Sequence, residues 1–418
     1  MTVFLPALTF FRRLFPVVAV ALLGLRGLGG QEIAKAESSQ STGFHYVTSQ
    51  TDPLTRSGFE HYYELDYPAA IRDFEKAAAA YPEDPFAVNH LLAGVFFQEL
   101  YHAGALESSL YANNGFLDNK TPIHIEPATD ARIQQLISKA EELANKRIRE
   151  NPNDSGGYYA RGVAKGMRST YTGLVKKSWF GALGDAKAAR HDHEKVLELD
   201  PKFSDARLVV GIHLYIVGSL AWPIRMMAHV VGESGNRSEG LKDIRAAAEG
   251  GGDAAVDASV VEALFLRREE RYTEALQIQR RLTAEHPNNF LFAMEEANIQ
   301  KDAGMGQQSI ATYRRVLAET ATGKYYDPHL EFAYYGLGEA LRGQKDFAGA
   351  AEAYDAAAAR PNSNPAIRLR SELGAGEMYD LLKQRERAVQ KYQNVIATNS
   401  ESPQADIARK NMKEPYRN

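Results

Sequence analysis

A small residue recurs along this chain wherever two helices would have to touch. Ala70, Ala140, Ala189, Gly240, Ala275, Ser309, Ala350 and Ala388 each lie early in an amphipathic stretch that follows a similar one. The clearest copy is residues 331–361, EFAYYGLGEALRGQKDFAGAAEAYDAAAARP. Tyr334, Leu337, Leu341, Phe347 and Tyr354 fall at helical spacing, which gives each half one apolar face. Gly343-Gln344-Lys345-Asp346 reads as the turn between the halves. Gly338, Ala350 and Ala357 stand where the two backbones approach, since no long side chain there holds them apart. A pair of helices this short cannot bury its apolar face alone, so a similar pair must stack on either side. The pattern therefore predicts an all-α chain built as a solenoid of antiparallel helix pairs.

The order tyrosine, Leu-Gly, alanine, aromatic, alanine in residues 331–361 resembles a tetratricopeptide repeat (TPR), with the closing proline one place early at Pro361. Ala275 and Ser309 are 34 residues apart, the length of that repeat. Pro82, Pro152, Pro201 and Pro287 end other second helices in the same way. The likeness covers roughly residues 54–400, and Gly104-Ala105-Leu106-Glu107-Ser108 is similar to a run in repeat proteins of the exported bacterial type. It implies a right-handed α-solenoid whose first helices line a groove for a protein or peptide partner. A shorter likeness rests on Gly235-Asn236-Arg237 followed by Gly240-Leu241. This run is similar to one in the tetratricopeptide repeat protein 39 / inclusion-body-clearance (Iml2) family, which has an aspartate where Asn236 stands. That likeness would imply association with lipid droplets or organelle membranes.

The leader is distinctive. Arg12 and Arg13 precede an apolar run from Leu14 to Leu25, small residues follow, and no acid appears before Gln31-Glu32. Basic, apolar and small-residue segments in that order make a secretory signal peptide over 1–36. Residues 37–53 are polar and rich in Ser and Thr, the composition of a disordered linker. Irregular repeats with inserts are expected over 54–252, regular repeats over 253–408 and a tail over 409–418. Within the irregular half, Phe86 to Leu110 reads as one long apolar helix, and Leu208 to Ile224 as a largely buried one or a membrane-contacting one. Ser238 reads as the cap of the helix that follows it.

Several chemistries are disfavoured. The chain has no cysteine, so disulfides, thiolate metal sites and cysteine nucleophiles are excluded. A net charge of −4 gives no global basic field for nucleic acid. Residues 232–241 are glycine-rich but lack the Gly-Lys-Ser/Thr that would hold phosphate and magnesium. His191 and His193 are two apart on a helix and point to different faces. Glu99 and His102 form an i, i+3 pair without the second copy that a di-metal site needs. No Gly-x-Ser-x-Gly elbow occurs. No metal, cofactor or catalytic residue is therefore assigned.

What remains is a binding surface. The register places Tyr215, Arg267, Asn298, Lys301, Tyr335, Glu339 and Arg342 in the groove. Arg161, Lys165 and Arg168 form a basic strip on one helical face, able to hold an acidic segment if it faces the groove and only solvated if it does not. The expected function is a non-catalytic scaffold in the bacterial envelope or periplasm, with a protein or peptide partner and no nucleic acid. Two alternatives stand beside it. One is a small-ligand- or metal-binding protein or enzyme using Asn89, Glu99, His102, Asn113 and Tyr158. The other is a peripheral membrane protein touching lipid through 208–231.

Overall fold

The computed structural model describes residues 46–111, 122–220, 222, 225–226, 229, 234–361 and 363–417. The leader, Asn113 and most of residues 221–233 lie outside them. The chain divides into two compact units. The first comprises residues 1–62, 66–102 and 113–265; the second comprises 266–418 together with 63–65 and 103–112.

All regular structure among the described residues is helical. The first unit contains α1 (Pro53–Tyr63), α2 (Tyr67–Ala80), α3 (Pro85–His102), α4 (Pro127–Glu150), α5 (Ser155–Thr170), α6 (Trp179–Leu199), α7 (Ala206–Gly218) and α8 (Arg237–Glu249). It ends inside α9 (Ala255–Arg268). The second unit continues with α10 (Tyr272–Glu285), α11 (Phe290–Asp302), α12 (Gly306–Ala321), α13 (Leu330–Gly343), α14 (Phe347–Ala358), α15 (Pro365–Leu381), α16 (Arg385–Thr398) and α17 (Pro403–Lys413).

Consecutive helices from α2 to α8 pack in chain order, as do those from α10 to α17. First helices also pack on first helices: α3 on α5 in the first unit, and α11 on α13 on α15 in the second. That is the arrangement of an α-solenoid, in which each pair lends its apolar face to the next. The small residues are where the sequence puts them. Ala70, Ala140, Ala275, Ser309, Ala350 and Ala388 have no solvent exposure, and Ala189 and Gly240 are buried.

Turns between paired helices repeat as well. Glu270, Gly304, Lys345 and Lys383 each take positive φ just before a second helix begins. After Lys345, the Asp346 carboxylate accepts the Gly349 N–H at 2.9 Å and caps α14.

Local expectations need correction in several places. The helix expected from Phe86 to Leu110 stops at His102, because Gly104 turns the backbone to φ 67°. Residues 103–111 then run on with one 3-10 turn at Ser108–Leu110. The helix that opens the run expected from Leu208 to Ile224 ends at Gly218, a turn follows at Ser219 and Leu220, and Trp222, helical again, is two-thirds exposed. No described helix is long and apolar enough to cross a membrane. Asn236 rather than Ser238 caps α8, accepting the amides of Ser238 and Glu239.

The end of the expected linker is also ordered. The Tyr46 hydroxyl bonds Asp154 under the Arg147 guanidinium, and the Val47 amide bonds Asp84. In the tail, residues 409–413 complete α17.

Asp205 supplies a test of the first unit. Its buried carboxyl faces Gly252, the Ala254 amide and the Asp253 carboxylate. Burial pushes its pKa from 3.8 up to about 6, against the pull of the backbone hydrogen bond, and Asp253 adds to the rise. Because the folded value lies above the unfolded one, the fold takes up this proton first, and its contribution to stability grows as pH falls from 7 towards 4. Asp205→Asn should therefore be more stable than wild type at pH 7. Denaturant unfolding should show the gap narrowing by up to about 3 kcal/mol by pH 4.

Candidate functional site

The first helices of the second unit carry an inner face with an unusual density of buried polar side chains. Arg267 on α9 is only 4% exposed. Its guanidinium spans two acids: Nη1 donates to Glu295 at 3.0 Å, and Nε donates to Asp302 at 2.7 Å, both acids on α11. Burial alone would lower the Arg267 pKa, but these two carboxylates raise it, so the charge is held firmly. Asn298, one helical turn beyond Glu295, has its amide oxygen bonded by the buried Tyr313 hydroxyl at 2.5 Å. That bond fixes which way the amide points, and its nitrogen is turned to donate.

It donates to Glu107, 191 residues earlier, at 3.0 Å. Residues 103–111 pass these helices as a turn over 103–106 and a 3-10 turn at Ser108–Leu110, with Glu107 extended between them, and each anchor is on a first helix or its cap. The Asn364 side chain, at the start of α15, donates to the Ala103 carbonyl at 3.0 Å. A Cβ on Gly104 would stand 2.5 Å from the Phe332 ring of α13, so only glycine lets the backbone pass so close. Glu107 meets Asn298, and the Ser108 hydroxyl bonds Glu295, both on α11. Arg268 of α9 donates to the Tyr111 carbonyl at 2.8 Å. The segment thus crosses α15, α13, α11 and α9 in turn. Burial raises the Glu107 pKa, and hydrogen bonds from Ser109 and the Arg267 charge pull the other way.

The expected groove residues are distributed as follows. Arg267 and Asn298 belong to this buried cluster. Lys301 is half-buried on the same helix. Tyr335, Glu339 and Arg342 lie on α13, where Glu339 accepts the Tyr354 hydroxyl. Arg342 meets Glu377 at 3.0 Å and the Tyr416 hydroxyl at 2.9 Å. Tyr215 is in the first unit, stacked on Phe265 at 3.8 Å and closed off from solvent.

The basic strip faces the second helix of its own pair. Arg161 and Lys165 both bind the buried Asp192 of α6, and Arg168 binds Asp185 and Glu141. Its charge is neutralised within the unit. Glu107, Ser108, Tyr111 and Gly104 were not singled out as a binding element by sequence. The signal available was Ala103-Gly104-Ala105 interrupting an apolar run just before Glu107-Ser108-Ser109.

The other candidate residues lie in the first unit, with Asn113 outside the described residues. Asn89 donates to the Ala160 carbonyl at 2.9 Å, Tyr158 lies under Arg161, and buried His193 bonds the Ala189 carbonyl. Burial raises the Glu99 pKa, with His102 opposing. Among the described residues no group of three or more His or acidic side chains could hold a metal ion.

The class of protein defined by this architecture is an all-α solenoid with an inner face built from first helices. Residues 225–290 and 294–365 match the tetratricopeptide repeat family. No curated protein matches the chain. Among solved structures it is similar to a chain of the APC/C Cut9–Hcn1 hetero-tetramer, with 12% identity and a TM-score of 0.49 over 88% of this chain and 56% of that one. This chain thus spans little more than half of that relative. It is also similar to the human IFIT1 dimer with m7Gppp-AAAA, with 14% identity and a TM-score of 0.43 over 89% of this chain and 84% of that one. Yeast Tom70 shows 11% identity and a TM-score of 0.37 over 87% and 88%.

Proposed function

We propose that this protein is a non-catalytic scaffold that holds a short peptide segment of a partner protein, and that it works in the bacterial cell envelope. The observation that carries the binding role is the path of residues 103–111 across four successive first helices. A face able to hold one short segment by both carbonyl and side-chain anchors has the chemistry to hold another. Envelope location rests on the basic, apolar and small-residue order of residues 1–36.

Both parts are testable. Alkaline phosphatase, active only after export, is fused behind residues 1–36 and expressed in a bacterial host. An inactive fusion would remove the envelope assignment. For binding, the full chain immobilised on resin should retain a defined envelope protein. Lys301→Glu reverses a half-exposed charge on α11 and should weaken that retention without changing the melting midpoint. Equal retention by the two baits would place the partner elsewhere.

A further inference from the structure

We infer that residues 103–111 are a built-in ligand of the second unit's groove. A partner would displace this segment by presenting the same chemistry: a short turn-forming peptide with a small residue, then a carboxylate, then a hydroxyl. The inference rests on the scaffold reading and names its ligand class and its regulation.

Three features separate this segment from an ordinary buried loop. It belongs to no helix of the solenoid, and although the Ser109, Leu110 and Tyr111 amides bond Glu107 and Ser108 locally, its ties to the second unit's helices are side-chain anchors. Those side chains are set up without it. Tyr313 fixes the Asn298 amide, and Glu295 and Asp302 fix Arg267, whether or not Glu107 is present. Finally, the anchors read specific groups. Asn298 reads the Glu107 carboxylate, Glu295 reads the Ser108 hydroxyl, and the gap at Phe332 admits only glycine-sized bulk. Arg268 and Asn364 take backbone carbonyls and are indifferent to sequence. The groove therefore has a short recognition code, small-x-x-Glu-Ser over Gly104 to Ser108, that any chain can carry.

A site filled in cis binds an outside ligand weakly until the internal segment is weakened, because the two compete. The test uses a dye-labelled peptide of residues 103–111, titrated by fluorescence anisotropy into the full chain. Glu107→Ala should bind it about 10-fold or more tighter than wild type, since the internal copy has lost a charge-assisted hydrogen bond. Adding Asn298→Ala should reverse that gain. A peptide with Gln in place of Glu should bind the Glu107→Ala chain more weakly than the native peptide does. A Glu107→Ala chain with unchanged helical circular dichroism that takes up no peptide would overturn the inference.

Hydrogen exchange on the wild-type chain gives a second reading that needs no variant. Amides of 105–111 should exchange faster than those of α11, and faster again with excess peptide. Exchange in step with α11 would mean the segment leaves only when the helices unfold, which overturns the inference. The two readings also part company. A captured partner that the peptide does not compete off would sink the built-in ligand and leave the scaffold standing. Peptide binding with no partner ever retained would support the groove chemistry and count against the scaffold.

Discussion

Replacing Arg267 with methionine is expected to lower the unfolding free energy by about 3–5 kcal/mol, the cost of leaving buried charge without its partner. Glu295 and Asp302 both direct carboxylate oxygens at this one guanidinium, and Glu107 lies close enough to feel its charge. Methionine fills much of the arginine stem's volume, so packing changes little. The loss comes from two acids that no longer face a cation in a region with little water. Urea unfolding followed by circular dichroism measures it. Arg267→Lys should fall between wild type and Arg267→Met, since an ammonium keeps the charge but cannot reach both acids at once as the fork does. Adding Glu295→Gln to Arg267→Met should restore part of the loss, because it removes one of the stranded charges. A near-neutral Arg267→Met would show that the two acids find other partners. This sets a limit on binding experiments: charge reversal at Arg267 damages the groove wall itself, whereas Lys301 reports on its surface.

How much of this was legible beforehand follows from the range of each interaction. Helix pairing is local, so the spacing of Tyr334, Leu337, Gly338, Ala350 and Tyr354 was enough to place α13 against α14. All eight small residues proved buried for the same reason. Placing Arg267 and Asn298 on first helices also needed only the local register. Their burial could not be read, because what covers Asn298 is a carboxylate from 191 residues away. Periodicity carries no information about such a meeting. The helix read through to Leu110 failed at a single residue, where Gly104 takes a left-handed turn in a stretch whose apolar content looks helical. The basic strip had the right spacing but an undetermined direction. Asp192, on the neighbouring second helix, decides it by accepting both Arg161 and Lys165.

Gly338→Leu tests the other foundation of the fold, the close approach of paired helices, and is expected to cost about 3 kcal/mol, the upper end for overpacking a dense core. A Cβ at Gly338 would lie 2.7 Å from two carbons of the Tyr354 ring, so even alanine is tight there. The ring cannot withdraw. On its far side Gly374 of α15 approaches to a Cβ distance of 3.0 Å, and the hydroxyl is tied to Glu339. Tyr354 is therefore clamped between α13 and α15, and a leucine at 338 must push α13 away from α14 and α15 together. Gly343→Ala is the matched control. It lies on the same helix with no atom within 4 Å of its added Cβ, so its effect should stay within about 0.5 kcal/mol. The cause can be separated from a general intolerance of leucine by also truncating the ring. Tyr354→Ala alone should destabilise by about 3–5 kcal/mol through the cavity it leaves. Leucine at 338 would then occupy part of that cavity, so the double variant should be no less stable than Tyr354→Ala. Additive losses would instead mean that the glycine is needed for something other than the ring it faces.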